Sequence, residues 1–578
     1  MKFSRPKLNI GLAAALYFLV AVNTLAANGL TLDDIFPTDR VLDVQITVDE
    51  KDWDRIRHQE RDFVSALHER RKVAPPDSPY TYVNASVTID GVEFPEVGLR
   101  KKGFLGSQST TRPSLKIKLN HIDKNAEIDG LTNLTLNNNQ QDVSLVNQFM
   151  GYALFNAAGS PAPRCAYAKV TVNGTGLGVY SHVERVRNSL LRRGFGTDKG
   201  TLYEATLVDF YEGWEGSFER KTGDDKSGRE KIKQLIKALA SDEENIEKAI
   251  EGLVDLDSFY TFWAIEGLLG SPDGYSGLAN NYFIHLNPET DKFHFIPWGA
   301  DNIFTRTTKE SDPRGPLSVK TRGLIVYRLY QTPAGRERYR QTLHGILNQY
   351  WDEVKLLTEI DRIEAMLKPH LVEAQLKFGY GLEEARTFIR QRRDELMNET
   401  VNGMPEWKKA PSGPIMLVSV GRIRAKFAAK FFEDSPQNGA GLGQVEFELT
   451  MAGKKVELKN LGVHASWSWA SGKGKTGERG KSRTPAIRFV GERVDTGEKL
   501  SFELIIDEDK FTVDEAPIQS EGKIVTDDGR AVRGPTKLTA ASLDEGGRVE
   551  GEFEGEIMEM KGFDRAKRSK PKSKRKMK

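Results

Sequence analysis

Side chains with oxygen ligands are concentrated in one stretch of the sequence, residues 271–301. Asp273 follows a long helical pattern, and Asn280 and Asn281 come directly before an apolar segment. A second apolar segment ends shortly before Asp301. Carboxylate and amide oxygens suit Mg²⁺, which binds one or two carboxylates and completes its shell with substrate phosphates. A further aspartate could orient a hydroxyl nucleophile, so these residue types indicate phosphoryl transfer.

Phosphoryl transfer also requires a cation on the phosphates of the nucleotide. Lys116 lies in the alternating segment 114–120, which predicts a β-strand, and a segment rich in Gly, Ser and Thr, 103–111, precedes it. Lys116 is therefore well placed to be that cation. Asp and Asn are also common in helix caps and hairpin turns, so the residue types alone leave a purely structural role open.

Several other kinds of site are disfavoured by the sequence. The glycines of Gly174-x-Gly176-x-Gly178 have strand-like sequence on both sides, whereas a dinucleotide-binding loop lies between a strand and a helix. The nine histidines form no HExxH motif, and no GxSxG nucleophile motif occurs. Because Cys165 is the one cysteine, the chain can form neither an intramolecular disulfide nor a cysteine zinc cluster.

The elements that would position these residues change in kind along the chain. Alternating apolar and polar residues predict strands early in the chain, at 41–48, 80–90 and 92–102. Apolar residues at three- and four-residue spacing predict helices later, at 143–158, 228–269 and over most of 316–400. This order predicts an α+β domain of two lobes, with a cleft between them.

A proline-rich segment, 405–414, predicts a linker. Short alternating segments with turn residues between them follow, which is typical of an antiparallel sandwich or barrel. We therefore expect a domain over residues 28–404 and an all-β, sandwich-like domain over residues 415–561.

Both ends of the chain are basic. Residues 1–27 carry a net charge of +3 and contain the apolar run Ile10–Val22 followed by small residues, which predicts a cleaved export signal. An uncleaved membrane anchor is the alternative. The predicted disordered tail, 562–578, is strongly basic, yet the net charge of the whole chain is only +2. The body is therefore acidic, which argues against a specific nucleic-acid partner, and we expect a periplasmic, cell-surface or secreted protein.

An ordered set of segments covers about residues 38–400. They are Val97–Gly103 with Ser114–Lys118, Leu134–Asn139 with Asp142–Ser144, Gly159–Pro163, Val172–Gly174 with Gly178–Glu184, Leu202-Tyr203, Asn280–Tyr282, Pro297–Asp301 and Ile389–Arg393. Together they resemble the CotH kinase family, the spore coat protein H group of secreted, atypical protein-kinase-like proteins. The resemblance does not extend into the β-rich region after residue 415.

The resemblance implies that the cleft binds ATP. Lys116 matches the strand lysine that pairs with the ATP phosphates, and the loop that covers them matches the segment that contains Gly103 and Ser107. Glu184 lies in the segment that resembles the hinge between the lobes, near the adenine. These matches imply a two-lobed, atypical protein-kinase-like fold.

The resemblance also implies catalytic and metal-binding roles. Asp273 matches the catalytic aspartate, and Asn281 and Asp301 match the ligands of Mg²⁺ or Mn²⁺. Three features depart from the usual pattern. Asn281 follows Asp273 by eight positions, where protein kinases have five; Gly299 stands where the family commonly has the first Asp of Trp-Asp-x-Asp; and segment 143–158 contains no acid to pair with a lysine.

The resulting first hypothesis is a secreted phosphotransferase that moves phosphate from Mg·ATP to Ser or Thr of a protein substrate. A second hypothesis is a non-catalytic surface or envelope protein that uses the kinase-like fold as a scaffold. Its β-rich domain and basic tail would then bind an envelope or extracellular polymer. A third is transfer of another group, such as AMP, by the same cleft.

Overall fold

The computed structural model describes residues 29–305, 315–411, 413–436, 442–473, 479–513, 517–524 and 530–562. The predicted export signal and all of the predicted basic tail except Gly562 lie outside these residues. No helix in the described part of the chain combines the length and the apolar character needed to cross a membrane.

The first strands form a closed seven-stranded barrel with the order β1-β2-β3-β4-β5-β7-β6. Their bounds are β1 Val41–Val48, β2 Val83–Ile89, β3 Val92–Lys102, β4 Ser114–Lys118, β5 Asn133–Asn137, β6 Cys165–Val172 and β7 Thr175–Val183. Parallel pairing of β1 with β6 closes the ring. Because side chains alternate along a strand, Leu99, Ile117 and Leu134 enter the barrel core, whereas Lys102 of β3 and the lysines of β4 lie on the opposite face.

A second, four-stranded sheet has the order β11-β10-β8-β9. Its strands are β8 Thr201–Ala205, β9 Glu219–Thr222, β10 Tyr282–Asn287 and β11 Lys292–Pro297. Phe259, Phe262 and Phe295 connect this sheet to the long helix that precedes the candidate site, in the largest hydrophobic core of the protein.

Most helices follow or surround the second sheet. The α-helices are α1 Leu32–Ile35, α2 Glu50–Arg57, α3 Phe63–Leu67, α4 Asn147–Ala157, α5 Asn188–Phe195, α6 Asp225–Ala240, α7 Ile246–Ile250, α8 Leu256–Leu269, α9 Tyr275–Leu278, α10 Leu324–Tyr330, α11 Pro333–Tyr350, α12 Glu353–Leu367 and α13 Phe378–Thr400. Single 3₁₀ turns lie at Glu69–Lys72, Leu119–His121, Glu215–Ser217, Lys368–His370, Glu373–Gln375 and Glu508–Lys510.

The C-terminal region is all β, as the sequence predicts. Its strands are β12 Met416–Phe432, β13 Gln444–Met451, β14 Lys454–Val456, β15 Leu458–Lys473, β16 Arg479–Arg493, β17 Lys499–Ile505, β18 Ile518–Ile524, β19 Ala531–Ala541 and β20 Arg548–Lys561. They form one nine-stranded sheet in which β12 also pairs with β20. This differs from the two stacked sheets of a sandwich, because the sheet is continuous and β12, the first strand of this region in chain order, pairs with β20, the last. Phe427, Phe489 and Phe553 belong to the core that it encloses.

Candidate active site

The carboxylate of Glu266 holds the loop that carries Asp273 in its conformation. Helix α8 ends at Gly270, whose φ is +63°. The buried carboxylate of Glu266 then accepts hydrogen bonds from the backbone N–H groups of Tyr275 and Ser276, both at 2.8 Å. A Cβ at Gly274 would overlap that carboxylate, so the turn requires glycine at this position. Burial raises the pKa of Glu266 to about 7.

Three of the predicted polar residues lie together at the end of this loop. Asn280 Nδ2 donates to Asp273 Oδ1, and Asn281 Nδ2 donates to Asp273 Oδ2, both at 2.9 Å. Asn280 Oδ1 accepts a hydrogen bond from the backbone N–H of Leu207 at 2.9 Å, which fixes the orientation of this amide. Asp273 is therefore held between two asparagine amides, and the eight-residue spacing of Asp273 and Asn281 still allows direct contact.

The hairpin of β10 and β11 brings the next predicted segment to the same place. Tyr282 pairs with Pro297, and the backbone N–H of Trp298 donates to the carbonyl oxygen of Asn281 at 3.0 Å. A Cβ at Gly299 would lie 2.6 Å from Asn281 Cγ. A side chain at position 299, where the family resemblance would place a carboxylate, would therefore displace Asn281.

Asp301 lies next to the N-terminus of α4. Asn147 Nδ2 donates to the backbone carbonyl of Asp301 at 3.0 Å, and the carboxylate of Asp142 accepts the backbone N–H of Asn147 at the same distance. Burial raises the pKa of Asp301 to about 6; Asp142 adds to this shift, and Lys102 opposes it. The Asp301 carboxylate thus lies in a place that favours a further positive charge.

Lys102 is the neighbouring cation, and it is not among the site residues that the sequence predicted. Its Nζ donates to Asn137 Oδ1 at 2.5 Å and lies 5.7 Å from the centre of the Trp298 ring. Burial lowers the pKa of Lys102 to about 8, and Asp301 acts against this shift. Asn137 Nδ2 in turn donates to the buried Gln148 of α4 at 2.6 Å. An amide relay therefore connects the lysine to the helix where the usual pattern has a carboxylate.

A simple signal could have identified Lys102. Residues two apart on a strand share a face, and the observed register places Arg100 opposite Lys116. Lys102 therefore lies on the same face as Lys116. Alternation along β3 and β4 was therefore sufficient to predict that Lys102 shares a face with Lys116.

Lys116 lies further along this face, among other cations. Burial, together with the charges of Arg185, Arg100 and Lys102, lowers its pKa to about 6, and Glu204 opposes that shift. The charges that act most strongly on Lys116 are thus not those of Asp273 or Asp301. The surroundings of Lys116 therefore carry an excess of positive charge, suited to an anionic ligand.

Glu204 is the acid that faces these cations. Burial acts to raise its pKa, but the ammonium group of Lys221, 2.5 Å away, and the charges of Lys116 and Arg187 lower it overall. Its carboxylate is therefore ionised and already paired with Lys221. Much of the positive charge around Lys116 is thus left uncompensated.

The segment with Gly103 and Ser107 forms a compact loop after β3. Gly103 has a φ of +125°, and a Cβ there would lie 2.5 Å from Ser107 Oγ. Tyr80 donates through its hydroxyl to the carbonyl oxygen of Gly103 at 3.0 Å, and Asn138 Nδ2 donates to that of Ser107 at the same distance. The loop is therefore anchored from both sides, and glycine is needed at its start.

Glu184 is fully buried, and its carboxylate bonds within the protein. It accepts hydrogen bonds from Ser189 Oγ at 2.5 Å, from Arg193 at 2.7 Å and from the backbone N–H of Arg164 at 3.0 Å. These bonds fix α5 against the start of β6. The family resemblance implies that Glu184 lies near the adenine; in the structure its side chain holds the connecting segment in place.

No group of three or more His, Cys, Asp or Glu side chains suited to a metal ion occurs among the described residues. A metal held entirely by such side chains therefore finds no support there. Asp301 and Asn281 fit an ion of the Mg²⁺ type, because that ion keeps few protein ligands and takes others from substrate phosphates and water.

Comparisons with known proteins identify the family of the chain. A family model described as CotH kinase protein matches residues 99–398, a range that includes every predicted site residue. The chain is also similar to inner spore coat protein H of Bacillus subtilis (strain 168), with 22% identity over 250 residues, which cover 40% of this chain and 68% of that protein. The family match extends over more than half of the chain, and we conclude that the chain belongs to the CotH kinase protein family.

Proposed function

We propose that this protein is an exported, atypical protein kinase that transfers phosphate from Mg·ATP to Ser or Thr of a protein. One observation carries the proposal. Asp273 and Asn281 are hydrogen-bonded to each other, and Asn281 packs against the loop that leads to Asp301, which in turn faces Lys102. A candidate base, two metal-type ligands and a phosphate-binding cation thus come from three separate segments of the chain.

In this proposal, the barrel and the helical region with the second sheet are the two lobes of a kinase-like fold. Asp273 orients the acceptor hydroxyl and receives its proton. The hydrogen bonds from Asn280 and Asn281 hold the Asp273 carboxylate in one orientation, which reduces the cost of aligning the acceptor. Lys116 and Lys102 bind the nucleotide phosphates, and the loop with Gly103 and Ser107 covers them.

Mg²⁺, or Mn²⁺ in its place, would supply charge neutralisation on the phosphates. Asp301 and the amide oxygen of Asn281 would hold it. Asn281 uses its Nδ2 for Asp273, so its Oδ1 points elsewhere. The pKa of Asp301, which burial raises, also fits a carboxylate that a bound cation would stabilise in its ionised form.

The amide relay supports an intact site. In the usual arrangement a carboxylate on the helix pairs with the phosphate-binding lysine. Here Gln148, which is fully buried on α4, bonds Asn137, and Asn137 accepts from Lys102. The helix can therefore position a cleft lysine without a charged partner.

Export is part of the proposal. Residues 1–27 have the sequence pattern of an export signal, and the relative from Bacillus subtilis is named as a spore coat protein. Both support a site of action outside the cytoplasm, where the acceptor would be a surface or envelope protein.

A specific observation favours the second candidate, a non-catalytic surface or envelope protein with the same scaffold. Gly299 supplies no carboxylate, and a side chain there would displace Asn281. The region of Asn281 and Asp301 therefore has one carboxylate fewer than the family pattern.

The test is a transfer assay on residues 28–578 with a mixed protein acceptor, Mg²⁺ or Mn²⁺, and ATP labelled at either the γ- or the α-phosphate. Label from the γ-phosphate supports the kinase, and label from the α-phosphate indicates AMP transfer instead. Asp301→Asn should abolish the γ-label and metal-dependent ATP binding. Asp291→Asn is the matched control, because Asp291 lies at the opposite end of the same hairpin and pairs with Lys231 at 2.7 Å. Absence of transfer together with absence of ATP binding would leave the scaffold as the function.

A further inference from the structure

Arg71 is a buried cation outside the region that the family model matches. It lies in the 3₁₀ turn Glu69–Lys72 and is 3% exposed. Its guanidinium donates to the carbonyl oxygens of Ile415 at 2.8 Å and Leu207 at 2.9 Å, and also to that of Thr206. Within the described residues no carboxylate pairs with it, and burial lowers its pKa to about 10. Burying a guanidinium without a carboxylate partner costs free energy. The three carbonyl contacts offset part of this cost, and they indicate that the position of Arg71 has a specific role.

The contact with Leu207 connects Arg71 to the candidate site. Leu207 has a φ of +49°, and its N–H donates to Asn280 Oδ1, whose own Nδ2 donates to Asp273. The next residue, Val208, donates its N–H to the carbonyl oxygen of Ala279 at 3.0 Å. The segment that Arg71 binds is therefore attached at two successive residues to the segment that holds Asp273.

Ile415 connects the same arginine to the C-terminal sheet, because β12 begins at the next residue. Leu417 of β12 forms a parallel bridge with His68, three residues before Arg71. One buried apolar cluster joins the parts; its members are Val64, Leu67, Leu207, Ile415, Leu417 and Met558, with Phe104, Leu105 and Leu278 packed against it. The loop after Gly103, the segment that follows Asp273, and strands β12 and β20 thus meet in one place.

We propose that Arg71 is a positioning residue of the phosphotransfer site, which holds Asn280 and Asp273 in place through Leu207 and couples them to the C-terminal sheet. This inference rests on the proposed function for its catalytic consequence. In the absence of Arg71, the carbonyl groups of Thr206 and Leu207 lose their donors, and the left-handed turn at Leu207 loses its support. Asn280 is then free to rotate, and the Asp273 carboxylate loses one of its two amide partners.

The first test is amide hydrogen exchange in the full chain. Arg71→Ala should speed exchange in residues 206–208 and 273–281 while leaving the cores of β15 and β16 protected. The control is Arg70→Ala, since Arg70 is exposed in the same turn. A second control is Arg533→Ala, which removes the ion pair between Arg533 of the sheet and Asp62 without touching Leu207. Equal exchange of 273–281 in Arg71→Ala and wild type would overturn the inference, even if the wild type transfers no phosphate.

The second test concerns rate. Single-turnover transfer by Arg71→Ala should fall about tenfold, the size of effect seen for residues that act through others, while ATP affinity stays within twofold. Methylguanidinium at low millimolar concentration should restore part of the rate to Arg71→Ala and none to Arg533→Ala. If Arg71→Ala does not fold, Arg71→Lys, which keeps a charge and fewer donors, should show the same changes to a smaller degree. A rate loss that is equal in Arg533→Ala, or that only follows the unfolded fraction, would show a merely structural role.

Discussion

At the residue scale, the candidate site is short of charge compensation. Lys102 and Lys116 both have pKa values lowered by burial, and Asp301 has a pKa raised by burial. Each group is therefore biased toward its neutral form in the free protein. An anionic ligand with a divalent cation would compensate all three groups at once, because it brings negative charge to the lysines and positive charge to the carboxylate.

Proton uptake on nucleotide binding is the first expected consequence. The pKa of Lys116 is about 6 in the free protein, under the combined effect of burial, Arg185, Arg100 and Lys102, with Glu204 in opposition. Phosphates beside it should return its pKa toward the ordinary value of about 10.4. At pH 8 Lys116 should then take up about one proton on binding, and Lys102, whose pKa in the free protein is about 8, about half a proton more. The proton taken up by Lys116 alone should weaken ATP affinity by up to about tenfold per unit of pH rise.

Titration calorimetry at pH 8, in buffers of different ionisation enthalpy, measures this uptake directly. Lys116→Met should remove the larger part of it and leave the smaller uptake by Lys102. Lys118→Met is the matched control from the same strand, and it should leave the uptake unchanged. Uptake that is unchanged in Lys116→Met would show that other groups take all of the protons and that Lys116 is not in contact with phosphate.

The role of Asp273 gives a second prediction at this scale. Asp273→Asn keeps the size of the side chain but removes the carboxylate that accepts from Asn280 and Asn281. As a catalytic base, Asp273 should account for about 10²-fold or more in single-turnover rate, with ATP affinity retained. A structural Asp273 would instead lower the melting temperature and leave the rate per folded molecule nearly normal. Rate, affinity and melting temperature measured on the same sample distinguish the two roles.

At the scale of elements, the end of the β10–β11 hairpin is the part that specifies the site. Its two strands are paired through their whole length, so Asn281 and Trp298 are fixed side by side at one end. Gly299 follows at once with a φ of +54°, a conformation that favours glycine. The hairpin can therefore present Asn281 and Asp301 together only while position 299 has no side chain.

This geometry predicts the outcome of restoring the family carboxylate. Gly299→Asp should lower metal-dependent ATP binding, although it adds a potential ligand, because its Cβ would lie 2.6 Å from Asn281 Cγ. The backbone conformation alone should cost about 1–3 kcal/mol for a residue other than glycine. Gly299→Ala should show most of the same loss, and Gly176→Ala, where no atom lies within 4 Å of the added Cβ, should be neutral. Tighter metal binding by Gly299→Asp would contradict the displacement of Asn281.

Strand alternation made much of this fold predictable. β1 has the predicted bounds, and the glycines of 174–178, which the sequence places between two strand-like segments, lie in the turn between β6 and β7 and in β7. The predicted helix 143–158 begins later, at Asn147, because Asp142 and Ser144 form a hydrogen-bonded turn that leads into it. The predicted helical stretch 228–269 is three helices, since local periodicity does not register the short breaks at residues 241–245 and 251–255.

The relations between segments were not predictable in the same way. Asp273, Asn281 and Asp301 could be proposed because their residue types are informative. Lys102 and Gln148 could not be proposed as a pair, because a single asparagine from another strand connects them. Contacts of that kind depend on the register of β3 with its neighbours, which hydrophobic patterning does not determine to one residue.

At the scale of the whole molecule, the C-terminal sheet has its own core and also forms part of the surroundings of the site. Phe427, Phe489 and Phe553 lie within the sheet core, whereas Leu417 and Met558 belong to the cluster shared with the rest of the protein. The connecting segment also packs against the helices, since Tyr330 donates through its hydroxyl to the carbonyl oxygen of Pro405 at 2.6 Å. We therefore propose that the N-terminal part and the C-terminal sheet are two units that can fold separately but act together.

Cleavage between the two units tests this view. A protease site inserted in the exposed segment 408–410 would divide the chain without touching Arg71 or the apolar cluster. After cleavage, we expect the two halves to elute together, because that cluster and the Arg71 bonds remain.

Mild urea should then separate the two halves. The released C-terminal half should keep its β-sheet circular dichroism and melt cooperatively, since β12 pairs with β20 and closes its core. The released N-terminal half should lose phosphotransfer and aggregate, because Val64, Leu67 and Leu207 become exposed. Separation of the halves without urea, with full activity in the N-terminal half, would show that the sheet contributes nothing to the site.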